Sequence, residues 1–322
     1  MVRPDAPPSS RMRVLFFGSP EAAIPTFRAL VESRHEVLLV VTQPDKPAGR
    51  GLALKMPPVK TVAAERGLSV RQPGRVRDPE FLSVVAGMRP DALVVVAYGQ
   101  ILPQALLDLP PMGSLNVHFS LLPKYRGAAP VQWAVYNGEK QTGITIMRMD
   151  AGLDTGPILA QRPVEIRAGE DAATLESRLA HIGAGLLVET LNRLEAGPIP
   201  ELAQDASSAT YAPLLKKEHG RMDWTMPAQQ IWRRQLAFAR WPGVFFEAHG
   251  QRVRLLEGRP AAAPSADSAC GAVLRVDKSG ITVGCGEGEA YLVVGVQPTG
   301  KSRMDGRAFA NGYRISPGVV LT

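Results

Sequence analysis

An α/β fold on a mostly parallel sheet, followed by a small β-barrel domain, is predicted by three features of this sequence. Continuous apolar runs such as HEVLLVVT (35–42) and DALVVVAY (91–98) have the length and β-branched content of strands buried on both faces, as parallel-sheet strands are. These runs alternate with segments of helical spacing. From residue 244 onward the pattern changes to short strands divided by turn residues, which suits an antiparallel barrel. The 322 residues are enough for two domains, each with its own core.

Residues 1–10, rich in Pro and Ser, read as a disordered extension. RVLFF (13–17) then forms a strand, Gly18-Ser19-Pro20 a turn, and residues 21–32 a helix with apolar positions at Ala23, Ile24, Phe27, Leu30 and Val31. The turn lacks a full G-x-G-x-x-G, so as a dinucleotide signal it is weak. After the strand at 35–42, the prolines and glycines of QPDKPAGRGLALKMPP (43–58) exclude regular structure, while Lys46, Arg50 and Lys55 supply three cations. A loop this long inside a domain is uncommon and often functional.

Helices over 59–66 and 78–86, with a short strand at 68–71, keep the βαβ rhythm up to the strand at 91–98. SLNVH (114–118) is the next strand, followed by a helix over 130–136, a strand over 143–149, its antiparallel neighbour over 158–166 and a long amphipathic helix over 170–194. Residues 11–197 thus form one domain, 198–213 a linker by composition, and 214–322 a second domain. In the latter, a helix over 227–240 precedes strands at 244–248, 252–257, 271–277, 280–285 and 290–296 and a late helix over 303–309.

Chemistry concentrates in two places. Asn116 and His118 lie two apart, so strand alternation sets both on one side of a sheet, and the chain then turns through Ser120, Leu121, Leu122 and Pro123. Histidine takes and gives protons near neutral pH, and an asparagine amide donates to a carbonyl oxygen without changing charge. The pair fits acyl transfer, although such a pair taken alone is more often a polar strand edge with a satisfied histidine. The second place is MDAGLDTGPIL (149–159), where Asp154 sits between glycines in a loop that brings a carboxylate and backbone amides close together. No G-x-S-x-G is present. The two cysteines, Cys270 and Cys285, form neither a metal-binding pattern nor a disulfide framework.

The formal charge of +7 is unevenly placed: residues 211–322 carry 15 Lys+Arg against 9 Asp+Glu. A basic second domain fits an anionic macromolecule, or serves only solubility. No run approaches the roughly 18 apolar residues of a membrane helix, and the N-terminal stretch lacks the apolar core of a signal peptide. A cytoplasmic protein is expected.

The residues NVHFSLLPKYRGAAP with the downstream LDTGPIL resemble the methionyl-tRNA formyltransferases, within the wider group of folate-dependent formyltransferases. The resemblance extends from Met12 through GSPEAAIPTFRAL, VVTQPDKPAGRG, VVVAYGQILP and the DW and WPG signatures. It implies a Rossmann-like catalytic domain and an OB-like C-terminal domain that binds tRNA. It also implies 10-formyltetrahydrofolate as co-substrate, no metal, and initiator methionyl-tRNA as acceptor, with the protein working as a monomer. By the same resemblance Asn116, His118 and Asp154 are catalytic, Ser120, Leu121, Leu122 and Pro123 bind the folate, and Arg50, Lys46 and Lys55 grip the acceptor arm. A small-molecule formyltransferase or formyl-folate hydrolase, and a nonenzymatic RNA-binding protein, are the alternatives. The basic second half argues against the first, and the intact Asn116, His118 and Asp154 against the second.

Overall fold

A computed structural model describes residues 11–48, 53–263 and 269–322. The extension expected over residues 1–10 and Arg50 lie outside the described residues. By contacts the chain divides into two compact units. The first takes residues up to 127, 141–165 and 176–211, and the second takes 128–140, 166–175 and 212–322.

The first unit is built on β1 (Arg13–Gly18), β2 (Glu36–Val41), β5 (Val70–Arg71), β6 (Ala92–Val96), β7 (Ser114–His118), β8 (Gln141–Arg148) and β9 (Ile158–Glu165). They form one seven-stranded sheet in the order β5-β2-β1-β6-β7-β8-β9. Pairing is parallel from β5 through β7 and antiparallel for β7-β8-β9. Connecting helices α1 (Ile24–Glu32), α2 (Pro58–Glu65), α3 (Pro79–Gly87) and α4 (Gln104–Leu107) follow the apolar spacing of the sequence. Phe17, Phe81, Leu93, Val95, Tyr98 and Leu106 pack into one core, with Phe17 meeting Tyr98 and Phe81 edge-on. The strands are therefore continuous apolar runs because both faces are covered.

One expectation is corrected. The segment over 43–58 contains a hairpin, β3 (Lys46–Ala48) with β4 (Ala53–Lys55), rather than only irregular chain. A two-stranded ribbon has two free edges, so Pro47 costs it no interior ladder bond. The hairpin's root is tied down, with Lys60 Nζ 2.9 and 2.7 Å from the Asp45 carboxylate oxygens and 2.7 Å from Gln72 Oε1. Hydrogen bonds first from Lys60 and then from Gln72 hold the Asp45 carboxyl below its ordinary range.

His35, just before β2, shows what burial does to a titrating group. It is 5% exposed, and its Nδ1 accepts the Met12 N–H at 3.3 Å, so the ring proton sits on Nε2. Desolvation lowers its pKa against the opposing pull of Glu195. The unfolded chain therefore binds a proton more readily than the folded one. His35 favours folding fully above about pH 6.5, its unfolded value, and that contribution is lost as pH falls through the depressed folded value. His35→Gln keeps an acceptor for Met12 and removes this titration. Urea midpoints across mildly acidic pH should fall less steeply in His35→Gln than in the wild type.

The long helix α6 (Ala172–Ala196) ends near Gly197, as its periodicity predicts. In the second unit α5 (Pro130–Asn137) packs on α7 (Ala228–Phe238) through Trp133, Tyr136 and Phe238, whose ring centroids lie 5.4–5.8 Å apart. The remaining strands are β10 (Phe245–Ala248), β11 (Gln251–Ala261), β12 (Val273–Asp277), β13 (Gly280–Gly284), β14 (Ala290–Pro298) and β15 (Met304–Asp305), with α8 (Gly306–Tyr313) last. They pair antiparallel in the order β10-β11-β14-β13-β12, with β15 on β14. The final residues bridge the two edges: Thr322 N donates to Glu247 O at 3.0 Å, while Leu321 N donates to Gly271 O and Val273 N to Val319 O, each at 2.8 Å. An antiparallel sheet domain is thus present. Among the described residues, no helix is long and apolar enough to cross a membrane.

Candidate active site

The site lies at the carboxyl end of β7, where neighbouring strands run in parallel on one side and antiparallel on the other. Alternation along β7 turns Asn116 and His118 to the same side. Both meet Asp154, from the loop between β8 and β9. Asn116 Nδ2 donates to Asp154 Oδ1 at 3.4 Å, and His118 Nδ1 stands 3.7 Å from Asp154 Oδ2. The structure therefore brings the three residues together from positions 38 apart in the chain.

Backbone groups settle the orientation of each. His118 Nε2 is 2.9 Å from the carbonyl oxygen of Tyr125, which only accepts, so Nε2 carries a proton and Nδ1 is the free face of the neutral ring. Tyr125 reaches it with φ of 60°, in the left-handed region. Asp154 also lies there, at φ 52°, a conformation Asp tolerates better than most residues. Its Oδ2 accepts the Gly127 N–H at 2.8 Å. Gly156 follows because a Cβ there would sit 1.9 Å from Arg148 O.

The Ser120–Pro123 turn is held from behind. Thr145, opposite His118 in the β7–β8 register, donates to Ser120 O at 2.7 Å and accepts from Leu122 N at 3.1 Å and Gln161 Nε2 at 3.0 Å. Gln161 also donates to Leu122 O at 2.8 Å, and Ser120 Oγ donates to Lys124 O at 2.6 Å. Ser120 and Leu122 are buried, whereas Leu121 and Pro123 keep partial exposure. A ligand at this turn would meet Leu121 and Pro123, with the other two shaping the backbone beneath.

Lys46 and Lys55 are exposed and directly opposed across the β3–β4 hairpin. Like charges opposite one another disfavour a hairpin. Thr145, Gln161, Arg126, Gln204 and Thr210 buttress the site without being legible in the sequence. Thr210 takes Tyr125 N at 2.9 Å on its hydroxyl and Arg126 N at 2.8 Å on its carbonyl. The one available signal was that Thr145 faces His118 once the β7–β8 pairing is drawn.

Residues 11–191 match the family model described as formyl transferase, and residues 214–314 that of formyl transferase, C-terminal domain. These two matches set the class over most of the chain. A curated methionyl-tRNA formyltransferase of Geobacter sulfurreducens is 46% identical over 310 residues, covering 96% of each chain. Another, of Solibacter usitatus, is 49% identical over 305 residues, covering 95% of this chain and 97% of its own. The chain belongs to the methionyl-tRNA formyltransferase family. Two solved structures share the fold. HypX from Aquifex aeolicus in complex with tetrahydrofolic acid has a TM-score of 0.62 at 18% identity over 96% of this chain and 48% of its own. An N-formyltransferase from Helicobacter canadensis has 0.63 at 15% identity over 90% of this chain and 100% of its own.

Proposed function

We propose that this protein transfers the formyl group of 10-formyltetrahydrofolate to the amino group of methionyl-initiator-tRNA. The convergence of Asn116, His118 and Asp154 at the end of β7, in a chain of this family, carries the reading. The co-substrate supplies an activated formyl group on N10, and the attacking nitrogen is the acceptor's own amine. Asn116 keeps an amide proton for the carbonyl oxygen as negative charge gathers there, since its 3.4 Å bond to Asp154 is at the long end of the range. Asp154 takes the amine proton, directly or through water, and passes it to His118 Nδ1, which delivers it to the departing nitrogen while the carboxylate steadies the charged ring. Ser120, Leu121, Leu122 and Pro123 form the folate-side wall. Partly exposed Leu121 and Pro123 fit the flat, apolar part of such a ligand, and no residue among these is asked to form a covalent bond.

Lys46, Lys55 and Arg50 hold the acceptor arm, and the second unit supplies the larger cationic surface for the tRNA phosphates. Support comes from the opposed lysines and from the outer face of β11. There exposed Arg252 and Arg254 lie two apart, Arg252 over the Phe245 ring at 3.7 Å. The protein acts in the cytoplasm as a monomer. Its two cysteines are unpaired, which fits a reducing compartment.

The decisive experiment is single-turnover formylation with the formylated folate and charged initiator tRNA, against free methionine and small sugar amines. Rapid transfer to the charged tRNA is expected, and transfer only to small amines would replace the reading. Arg252→Ala with Arg254→Ala should lower the slope of log binding constant against log salt by about 1–2, since each phosphate contact contributes roughly 0.7–0.9. An unchanged slope would remove β11 from the tRNA surface.

A further inference from the structure

Gln204 lies in an exposed run, ELAQDASS, with no pattern that marks a site, yet it is the partly buried member of residues 201–208. Its side chain stands between two parts of the site. The guanidinium of Arg126, 5% exposed, donates through Nε at 3.0 Å and Nη2 at 2.8 Å to Gln204 Oε1. A guanidinium only donates, so the amide orientation is settled: oxygen toward Arg126, nitrogen away. Both protons on Nε2 then go to backbone carbonyls of the catalytic loop, to Asp154 O at 2.9 Å and Gly156 O at 2.7 Å.

The bonds close a ring. Gly127, next to Arg126, donates its N–H to Asp154 Oδ2, so Asp154 is held by its carboxylate on one side and by its own carbonyl on the other. Asp154 sits in left-handed backbone, which costs a non-glycine residue energy and persists where surrounding bonds over-determine it. We infer that Gln204 is a positioning residue. Through the Arg126–Gln204–Asp154–Gly127 ring it holds the Asp154 backbone so that the carboxylate meets both Asn116 and His118. The consequence for catalysis rests on the proposed formyl transfer. The geometric coupling does not.

Two variants test it. Gln204→Met keeps the length and fills the space without polar atoms. Gln204→Glu keeps an acceptor for Arg126 while losing both donors to the loop. Each is expected to lower single-turnover kcat by about 10²-fold, the scale of a 1 Å misplacement of a reacting group, with KM for the formyl donor nearly unchanged. The ring resonance of His118, assigned by its absence in His118→Asn, should move in both variants although Gln204 is not bonded to that ring. Wild-type kcat together with an unmoved resonance would overturn the inference. Activity lost only in proportion to unfolded protein, followed by circular dichroism, would also overturn it and leave Gln204 a structural residue. If the wild type fails to formylate charged tRNA, the resonance still decides the coupling and only the functional reading falls.

Discussion

Asp154→Ala and His118→Ala are each expected to slow single-turnover formylation by about 10³-fold, within the range for a positioned acid or base. Affinity for tRNA should stay near the wild-type value. In the proposed mechanism the two side chains do different work on one proton path. His118 is anchored by Nε2 on Tyr125 O, leaving Nδ1 as its only exchanging atom, and Asp154 Oδ2 lies 3.7 Å from it. That gap is too wide for a direct hydrogen bond. A proton on Nδ1 would make the ring a cation beside the carboxylate, an attraction that favours closing the gap. Asp154→Asn separates charge from shape, because an Asn oxygen still accepts the Gly127 N–H. That oxygen is also the one facing Nδ1, now without the charge that steadies a protonated ring, while the amide nitrogen takes the Oδ1 place and meets the Asn116 amide donor to donor. Asp154→Asn should therefore be nearly as slow as Asp154→Ala while unfolding at close to the wild-type temperature. Near-wild-type rates in either variant of Asp154 would remove the carboxylate from the mechanism.

The parallel sheet was legible because strands buried on both faces read as unbroken apolar runs, as at 36–41 and 92–96. The β8–β9 pair expected over 143–149 and 158–166 lies at Gln141–Arg148 and Ile158–Glu165. Asn116 and His118 could be placed together from spacing alone, whereas joining Asp154 to them needed the resemblance, since nothing in the sequence states a contact between positions 38 apart. The buttress stayed hidden for a plain physical reason. Gln204 bonds the carbonyls of Asp154 and Gly156, and Thr210 takes the amides of Tyr125 and Arg126, and backbone partners leave no trace in residue type or periodicity. The hairpin at 46–55 was missed because its proline and glycines outweigh its three-residue strands in any propensity reading. The bridging of the second sheet by residues 319–322 was missed likewise, since these residues pair through their backbone and form no named strand.

Asn116→Asp should cost more than Asn116→Ala, by an order of magnitude beyond the about 10²-fold expected from losing one donor to a developing oxyanion. Alanine removes the amide and leaves Asp154 with its bond from Gly127. Aspartate instead sets a second carboxylate against the first, in the place of an amide that donates across 3.4 Å. Two carboxyl groups so close share one proton, and the pair titrates as a unit with one step displaced upward. Where both are ionised, position 116 presents negative charge to the oxygen that must itself become negative, and transfer stops. Where one proton is shared, a protonated carboxyl at 116 donates as the amide did. The residual activity of Asn116→Asp is therefore expected to rise as pH is lowered from neutrality, over a range where Asn116→Ala shows no such gain. Single-turnover rates of both variants from mildly acidic to neutral pH, with saturating formyl donor, provide the measurement. Parallel pH profiles for the two would show that no protonated carboxyl substitutes for the amide, and would take Asn116 out of contact with the reacting oxygen.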